Sequence, residues 1–258
     1  MRSFRLVILA AGVSFAAVVG HSQAGQVQTG SVQAAGAQGV SAAQIAEMQT
    51  KLADWPQLEH YRAANAALAP AAEGEDRVVF YGASMTEGWG RNGGTFFPGK
   101  PYVNRGISGQ TTAQMVVRFR QDVIDLHPKA VLILAGTNDV AGNTGPTTPE
   151  MTEENWQSMA ELAKANGIRV IFASITPSTD IPWRRGLHPA EKIRTLNAWL
   201  KEYCAAHSLT YLDYYSALTN ADGGMKDELT IDGVHANLKG YALMAPLAQA
   251  AIDKALAN

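Results

Sequence analysis

The sequence predicts an α/β three-layer sandwich built on a five-stranded parallel sheet. Three observations carry this. Short apolar runs alternate with amphipathic helical segments from Asp76 onward, the runs are continuously apolar, and polar blocks rich in glycine follow the first three of them. Strand–helix alternation with short joins places helices against a sheet. Strands covered on both faces read as unbroken apolar runs, as parallel strands do.

The first strand is expected at Val78-Val79-Phe80-Tyr81, ending at Gly82. A weaker run, Tyr102-Val103-Asn104, precedes Gly106, and Ala130 to Ala135 is the clearest buried strand, ending at Gly136. Val170 to Ala173 and Leu209 to Leu212 complete the five. Between them, Thr111 to Leu126 places Met115, Val116, Phe119, Val123 and Leu126 on one helical face. Thr152 to Ala165 carries Trp156, Met159 and Leu162, with Gly167 suited to its carboxyl cap. Ala190 to His207 and Leu238 to Ala257 are two further amphipathic helices, and Cys204 in the former reads as a buried structural thiol.

Upstream lies a different kind of sequence. Arg2 and Arg5 flank a short basic start, and Leu6 to Val19 is an apolar run too short to span a bilayer as a helix. Ser22-Gln23-Ala24 offers small residues at a signal-peptidase spacing, so residues 1–24 are expected to be a signal peptide cleaved after Ala24, with an uncleaved anchor as the alternative. Lipid anchoring is unsupported, because no cysteine follows the apolar run. Residues 25–40 lack period and charge and read as a flexible linker. Residues 41–72 form a helical lead-in, with Ile45, Met48, Leu52 and Trp55 at helical spacings and Pro56 dividing Ser41–Leu68 into two pieces. The globular domain is then expected over 73–258, on an exported chain, periplasmic or secreted, with no stable membrane insertion after cleavage.

Composition narrows the function classes. Twenty-one basic against 23 acidic residues give no electrostatic footprint for nucleic acid. Cleavage leaves 19 basic against 23 acidic residues, a charge of −4, which fits a neutral substrate better than a polyanion. One cysteine excludes an intrachain disulfide framework and a cysteine-based metal cluster. The six histidines show no metal-ligand spacing, so no metal and no cofactor is expected.

In a parallel sheet, ligands bind beyond the carboxyl ends of the strands. There the sequence offers Gly82-Ala83-Ser84-Met85-Thr86-Glu87, Gly106-Ile107-Ser108-Gly109-Gln110-Thr111, Gly136-Thr137-Asn138-Asp139 and, after the fifth strand, Asp232-Gly233-Val234-His235. Each has a plain structural reading: Ser84 with Glu87 matches a capping box, Asn138-Asp139 an Asx-turn, and Asp232 a cap on the turn that leads into the last helix. Together they hold every part of a serine acyl-transfer site. His235 is suited to take the Ser84 proton near neutral pH, and Asp232 to orient the imidazole. Oxyanion donors are available from the Ser84 and Gly109 backbone N–H groups and the Asn138 amide.

With these residues in view, VVFYGASMTEGW, NRGISGQTT, LAGTNDV and DGVHANLKGY resemble, in this order, the blocks of the SGNH, or GDSL-type, esterases and lipases. The resemblance spans roughly Asp76 to Pro246. It implies a flavodoxin-like sheet and a metal-free hydrolase in which Ser84 is the nucleophile, Gly109 and Asn138 complete the oxyanion hole, and Asp232 and His235 finish the triad. One departure stands out: the family's Asp before the nucleophile is Ala83 here, while Asp139 reads as a loop-stabilising partner.

Competing signals are weaker. Gly94 to Lys100 nearly spells a P-loop, but Pro101 replaces the Ser or Thr and no strand precedes it. No GxGxxG follows the first strand, and Thr86 breaks a GxSxG elbow. The loop Thr176 to His188, with Asp180, Trp183, Arg184 and Arg185, reads either as a substrate mouth or as a solvated loop; Trp89 and Phe96-Phe97 read either as an apolar wall beside Ser84 or as core. The expected function is hydrolysis of short-chain, chiefly acetyl, carboxylic esters, with an acetylated carbohydrate among the candidate small-molecule substrates. The alternatives are an O-acyltransferase using the same triad and a non-catalytic binding module.

Overall fold

The computed structural model describes residues 40–91 and 95–257. The expected signal peptide, 1–24, lies outside these residues, as does the linker expected over 25–40 except for Val40. By its contacts the chain divides into Met1–Ala42 and Ala43–Asn258; of the first unit only residues 40–42 are described, and the second holds the fold.

Five parallel strands form one sheet: β1 Val78–Gly82, β2 Tyr102–Gly106, β3 Ala130–Leu134, β4 Arg169–Ala173 and β5 Thr210–Leu212. Their order is β2-β1-β3-β4-β5, the flavodoxin-like arrangement. Side chains alternate between faces along a strand. Val79, Tyr81, Val131, Ile133, Val170 and Phe172 therefore enter one core, packed under α4 Thr112–Asp122, α6 Pro149–Ala165 and α7 Ala190–Ala206. Val78, Phe80, Leu132, Leu134 and Ile171 enter the other, packed under α9 Leu238–Ala257. Both faces are covered, which is why the strands read as unbroken apolar runs.

The long helices start where their sequences provide caps. Thr111 and Gln114 form a reciprocal capping box on α4. Thr148 accepts from the Met151 N–H at 3.3 Å, and Pro149 opens α6. Asn237 caps α9 by accepting from the Lys239 and Gly240 N–H groups at 2.9 and 3.1 Å. Cys204 is buried in α7, and burial pushes its thiol up to about 12.

β2 continues two residues beyond the expected run, through Arg105 and Gly106. It is an edge strand, and the lead-in packs beside it. The Arg105 guanidinium sits 4.7 Å from the centre of the Tyr61 ring and donates to Asn65, which lets a charged residue lie in the strand with little exposure. The lead-in itself holds α1 Ala42–Ala53 and α2 Arg62–Ala67. Between them the chain is irregular: Asp54 accepts from the Leu58 and Glu59 N–H groups at 2.7 and 3.0 Å, so α1 ends before Pro56 instead of breaking at it. Three short helices without a readable period complete the second unit's α elements: α3 Ser84–Glu87, α5 Thr137–Val140 and α8 Tyr214–Leu218.

Candidate active site

Ser84 opens α3 immediately beyond β1. As the first helical residue, it has no acceptor for its N–H within the helix. The close seat of α3 over the sheet depends on Gly106, where a Cβ would come within 2.1 Å of the Glu87 backbone nitrogen. The helix is capped from Ala83, not Ser84, without a side-chain hydrogen bond. The capping-box reading of Ser84 and Glu87 therefore fails: Glu87 accepts instead from the N–H of Ser108 at 2.8 Å and from its hydroxyl. The Ser84 hydroxyl is left for another partner.

That partner is His235. The Ser84 Oγ–H donates to His235 Nε2 at 2.9 Å, and His235 Nδ1–H donates to Asp232 Oδ2 at 2.8 Å. The carboxylate fixes which ring nitrogen carries the proton, leaving the Nε2 lone pair toward Ser84. Asp232 also accepts from the N–H groups of Val234 and His235 at 3.0 and 2.8 Å. Partial burial raises its pKa, but these backbone hydrogen bonds and the imidazole outweigh that and hold the carboxyl below its ordinary value. Asp232 is thus the turn-forming residue that its plain reading expected and a partner of the imidazole as well.

The opposite wall of the site runs from the exposed Gly109 to the buried Asn138 and Asp139. Gly109 has a φ of +81°, the left-handed region that favours glycine, and its carbonyl accepts from Asn143 Nδ2 at 3.1 Å. Asn138, 3% exposed, donates one amide hydrogen to the Gln110 carbonyl at 2.9 Å, while its Oδ1 accepts from Asn143 at 2.9 Å. Those two bonds fix the amide face and leave its second N–H available. Asp139 accepts from the backbone N–H and hydroxyl of Thr112, tying the α5 turn to the start of α4. Burial raises Asp139 to about 6, against the pull of those hydrogen bonds. Its carboxylate bonds to Thr112 and not to His235, which is the loop-stabilising place.

Several positioning residues are not legible as such in the sequence. Gln110, 1% exposed, donates to the Pro56 carbonyl and accepts from the Arg118 guanidinium. Arg118, wholly buried, donates also to the Gly82 and Arg105 carbonyls at 3.1 and 3.0 Å and pairs with Asp122 at 3.0 Å. It thereby ties together the ends of β1 and β2 from behind the site. A glutamine in the loop before α4 and an arginine inside that helix carry no chemical pattern that would have singled them out.

Ser84, Asp232 and His235 line a cleft of about 370 Å3, with Ile231 and Tyr241 among its other walls. A second groove of about 870 Å3 adjoins it at Ser108 and runs past Gly109 between the lead-in turn and the loops after β3 and β4. Trp183 borders this groove, its ring 5.8 Å from that of His235. A third groove, about 890 Å3, includes residues just before β4 and β5 and lies at the other end of the sheet. Trp89, Phe96 and Phe97 instead cluster with Phe80: Trp89 is part of the core, and the half-buried Phe96 and Phe97 pack against it. Among the described residues, no three His, Cys, Asp or Glu side chains are gathered as a metal site would need.

The description "GDSL-like Lipase/Acylhydrolase family" belongs to the family model that matches residues 80–243. The structure is similar to that of a GDSL-like lipase from Bacteroides thetaiotaomicron, with 44% identity, a TM-score of 0.75, and coverage of 78% of this chain and 98% of that one. It shares its fold with an acetyl-xylooligosaccharide esterase from Geobacillus at 20% identity and a TM-score of 0.56, covering 71% of this chain and 95% of that one. In sequence, 78 residues are 36% identical to the uncharacterized lipoprotein YqeF of Bacillus subtilis, covering 29% of this chain and 32% of that protein. A further 26% identity over 153 residues links 59% of the chain to 35% of an N-acylneuraminate cytidylyltransferase of Streptococcus agalactiae. The chain spans about a third of the length of these curated relatives.

Proposed function

The chain belongs to the GDSL-like lipase/acylhydrolase family, and from that premise we propose that it is an exported serine esterase releasing short acyl groups, chiefly acetyl, from an alcohol. The observation that carries the reading is the continuous hydrogen-bonded chain from Asp232 through His235 to Ser84. The Ser84 oxygen attacks the ester carbonyl as His235 Nε2 takes its proton, and Asp232 stabilises the imidazolium. The Ser84 and Gly109 N–H groups and the spare Asn138 N–H receive the developing oxyanion. Collapse of the tetrahedral species breaks the ester C–O bond, and His235 returns the proton to the departing alcohol. A water molecule, deprotonated by the same imidazole, then frees the acid from Ser84.

A short acyl group suits the cleft of about 370 Å3, which lies near the small end of ligand sites. An acetylated carbohydrate is the substrate class favoured here, in keeping with the fold shared with an acetyl-xylooligosaccharide esterase. The adjoining 870 Å3 groove supports a second reading, in which a sugar hydroxyl replaces water and accepts the acyl group. Export rests on the leader pattern of residues 1–24, alongside the lipoprotein relative. Among the described residues, no helix is long and apolar enough to cross a membrane.

The test is hydrolysis of p-nitrophenyl esters of increasing acyl length. Acetate is expected to be cleaved fastest, with activity lost in Ser84→Ala. Acyl transfer to an added saccharide that outcompetes hydrolysis favours the second reading, and absence of both activities defeats the proposal. Amino-terminal sequencing of exported protein is expected to begin at Gly25; a start at Met1 contradicts cleavage.

A further inference from the structure

The groove of about 870 Å3 beside Gly109 has no task in the chemistry of the acyl group. One side is formed by Trp55 and Gln57 of the lead-in turn, the other by Asn143, Trp183 and Arg184. Trp183 is 42% exposed, yet its ring is held in place: the indole N–H donates to Asn143 Oδ1 at 2.9 Å. The next residue, Arg184, donates to the Gly142 carbonyl at 3.2 Å, fastening the same loop to the segment after α5. An indole left this open to solvent contributes little to the core, so a fixed orientation calls for another reason.

Its location supplies one. The Trp183 ring lies 5.8 Å from the His235 ring, inclined by 31°. In the proposed reaction His235 Nε2 returns a proton to the departing alcohol, and the indole lies close enough to this ring to meet an alcohol half that extends from the cleft into the adjoining groove. Asn143 joins the two functions in one side chain. It holds Trp183 through Oδ1, and holds Asn138 and the Gly109 carbonyl through Nδ2.

The chemistry of the groove selects the class of alcohol. Trp55 and Trp183 border the groove with aromatic rings, while Gln57 and Arg184 line it with planar polar groups. An alkyl chain would remove those polar groups from water without replacing their hydrogen bonds, which is costly. A pyranose carries both a C–H face to stack on an indole and hydroxyls to pair with the Gln57 amide and the Arg184 guanidinium.

We propose that this groove binds the alcohol half of the substrate and that this half is a saccharide, with Trp183 as its stacking platform and Asn143 as the residue that fixes the platform. The saccharide's role as leaving group rests on the ester-hydrolase reading above; its binding does not.

The test therefore begins with binding. Full-length Ser84→Ala protein is titrated by calorimetry with unacetylated xylotetraose, cellotetraose and chitotetraose. At least one is expected to bind, with affinity weakened roughly tenfold or more when Trp183→Ala is added. Trp55→Ala is expected to weaken it less, and Lys164→Ala, in the groove at the other end of the sheet, to leave it unchanged. In the otherwise native enzyme, Trp183→Ala is expected to lower kcat/KM for an acetylated tetrasaccharide at least roughly tenfold more than for ethyl acetate. Failure of all three saccharides to bind, or binding indifferent to Trp183, overturns the proposal. Trp183-dependent binding by a wild-type enzyme inactive on ethyl acetate upholds the saccharide site and defeats the hydrolase reading instead.

Discussion

The two walls of the site are built in opposite ways. The Asp232–His235 wall is partly exposed, its side chains 34% and 28% accessible, and it is held by its own neighbours. Thr230 Oγ1 accepts from the Gly233 N–H and donates to the His235 carbonyl, and the Ile231 N–H donates to that same carbonyl. The Gln110–Asn138–Asp139 wall is buried and held by partners far off in sequence: Asn138 reaches 28 residues to Gln110, and Gln110 reaches 54 to Pro56. An exposed, locally scaffolded loop can present an acid–base pair with little cost to the fold. The oxyanion donation proposed for Asn138 gains from such a buried and rigid frame, and the loss of this amide is expected to be felt in stability as well as in rate.

Substitutions sharpen that contrast. Ser84→Ala removes the proposed nucleophile and is expected to lower kcat by about 10^6-fold, the scale seen when a triad serine is removed. Its melting temperature should stay within about 2 °C of wild type, because only one partly exposed hydroxyl is lost. Matched assays of short-ester hydrolysis and thermal unfolding check both halves. Asn138→Ala strikes the other wall and should show both costs together. The expected loss is about 10^2- to 10^3-fold in kcat, with a stability loss of about 1–3 kcal/mol as the Gln110 carbonyl and Asn143 lose their partner. If Asn138→Ala proves as stable as Ser84→Ala, the contrast between the walls collapses.

Asp139 provides a pH test of the buried wall. Burial raises its folded-state value from 3.8 to about 6, so the folded chain holds more protons than the unfolded chain between those values. Stability from this group is therefore greatest below about pH 4, falls as pH rises to about 6 and is level above it, by an amount on the order of 3 kcal/mol. Asp139→Asn should remove that slope, as read from the difference between wild-type and variant denaturant midpoints at several pH values. An unchanged slope would place the titration elsewhere. The smallest effect is expected at Ala83→Asp, which restores the residue expected from the family resemblance. Ala83 takes no part in the hydrogen-bonded chain to Asp232, so kcat should change by no more than about threefold. A large gain in a steady-state assay would show that the loop presenting Ser84 is poorly held.

Much of this was legible in the sequence where chemistry or period marks a residue. The five strands and four long helices show because continuous apolar runs and 3.6-residue spacing extend over enough residues. Ser84, Asp232, His235, Gly109 and Asn138 stand out because reactive or donor types follow strand ends. The short helices α3, α5 and α8 do not show, since four or five residues carry no period. The docking of the lead-in is hidden for another reason. Gln110, Gln114 and Gln121 donate to the backbone carbonyls of Pro56, Trp55 and Leu58, and any residue supplies a carbonyl. Trp183 is legible as an aromatic in a loop, but its bond to Asn143, 40 residues away, is a product of the fold alone.

The most direct test of Ser84 as a base-activated nucleophile is labelling by a fluorophosphonate, which requires a serine activated by a neighbouring base. Intact-mass and peptide analysis should find one adduct per chain, on Ser84, absent in Ser84→Ala and formed far more slowly in His235→Ala. An adduct on another residue, or labelling of Ser84 that is indifferent to His235, would contradict a nucleophile driven by the Asp232–His235 pair.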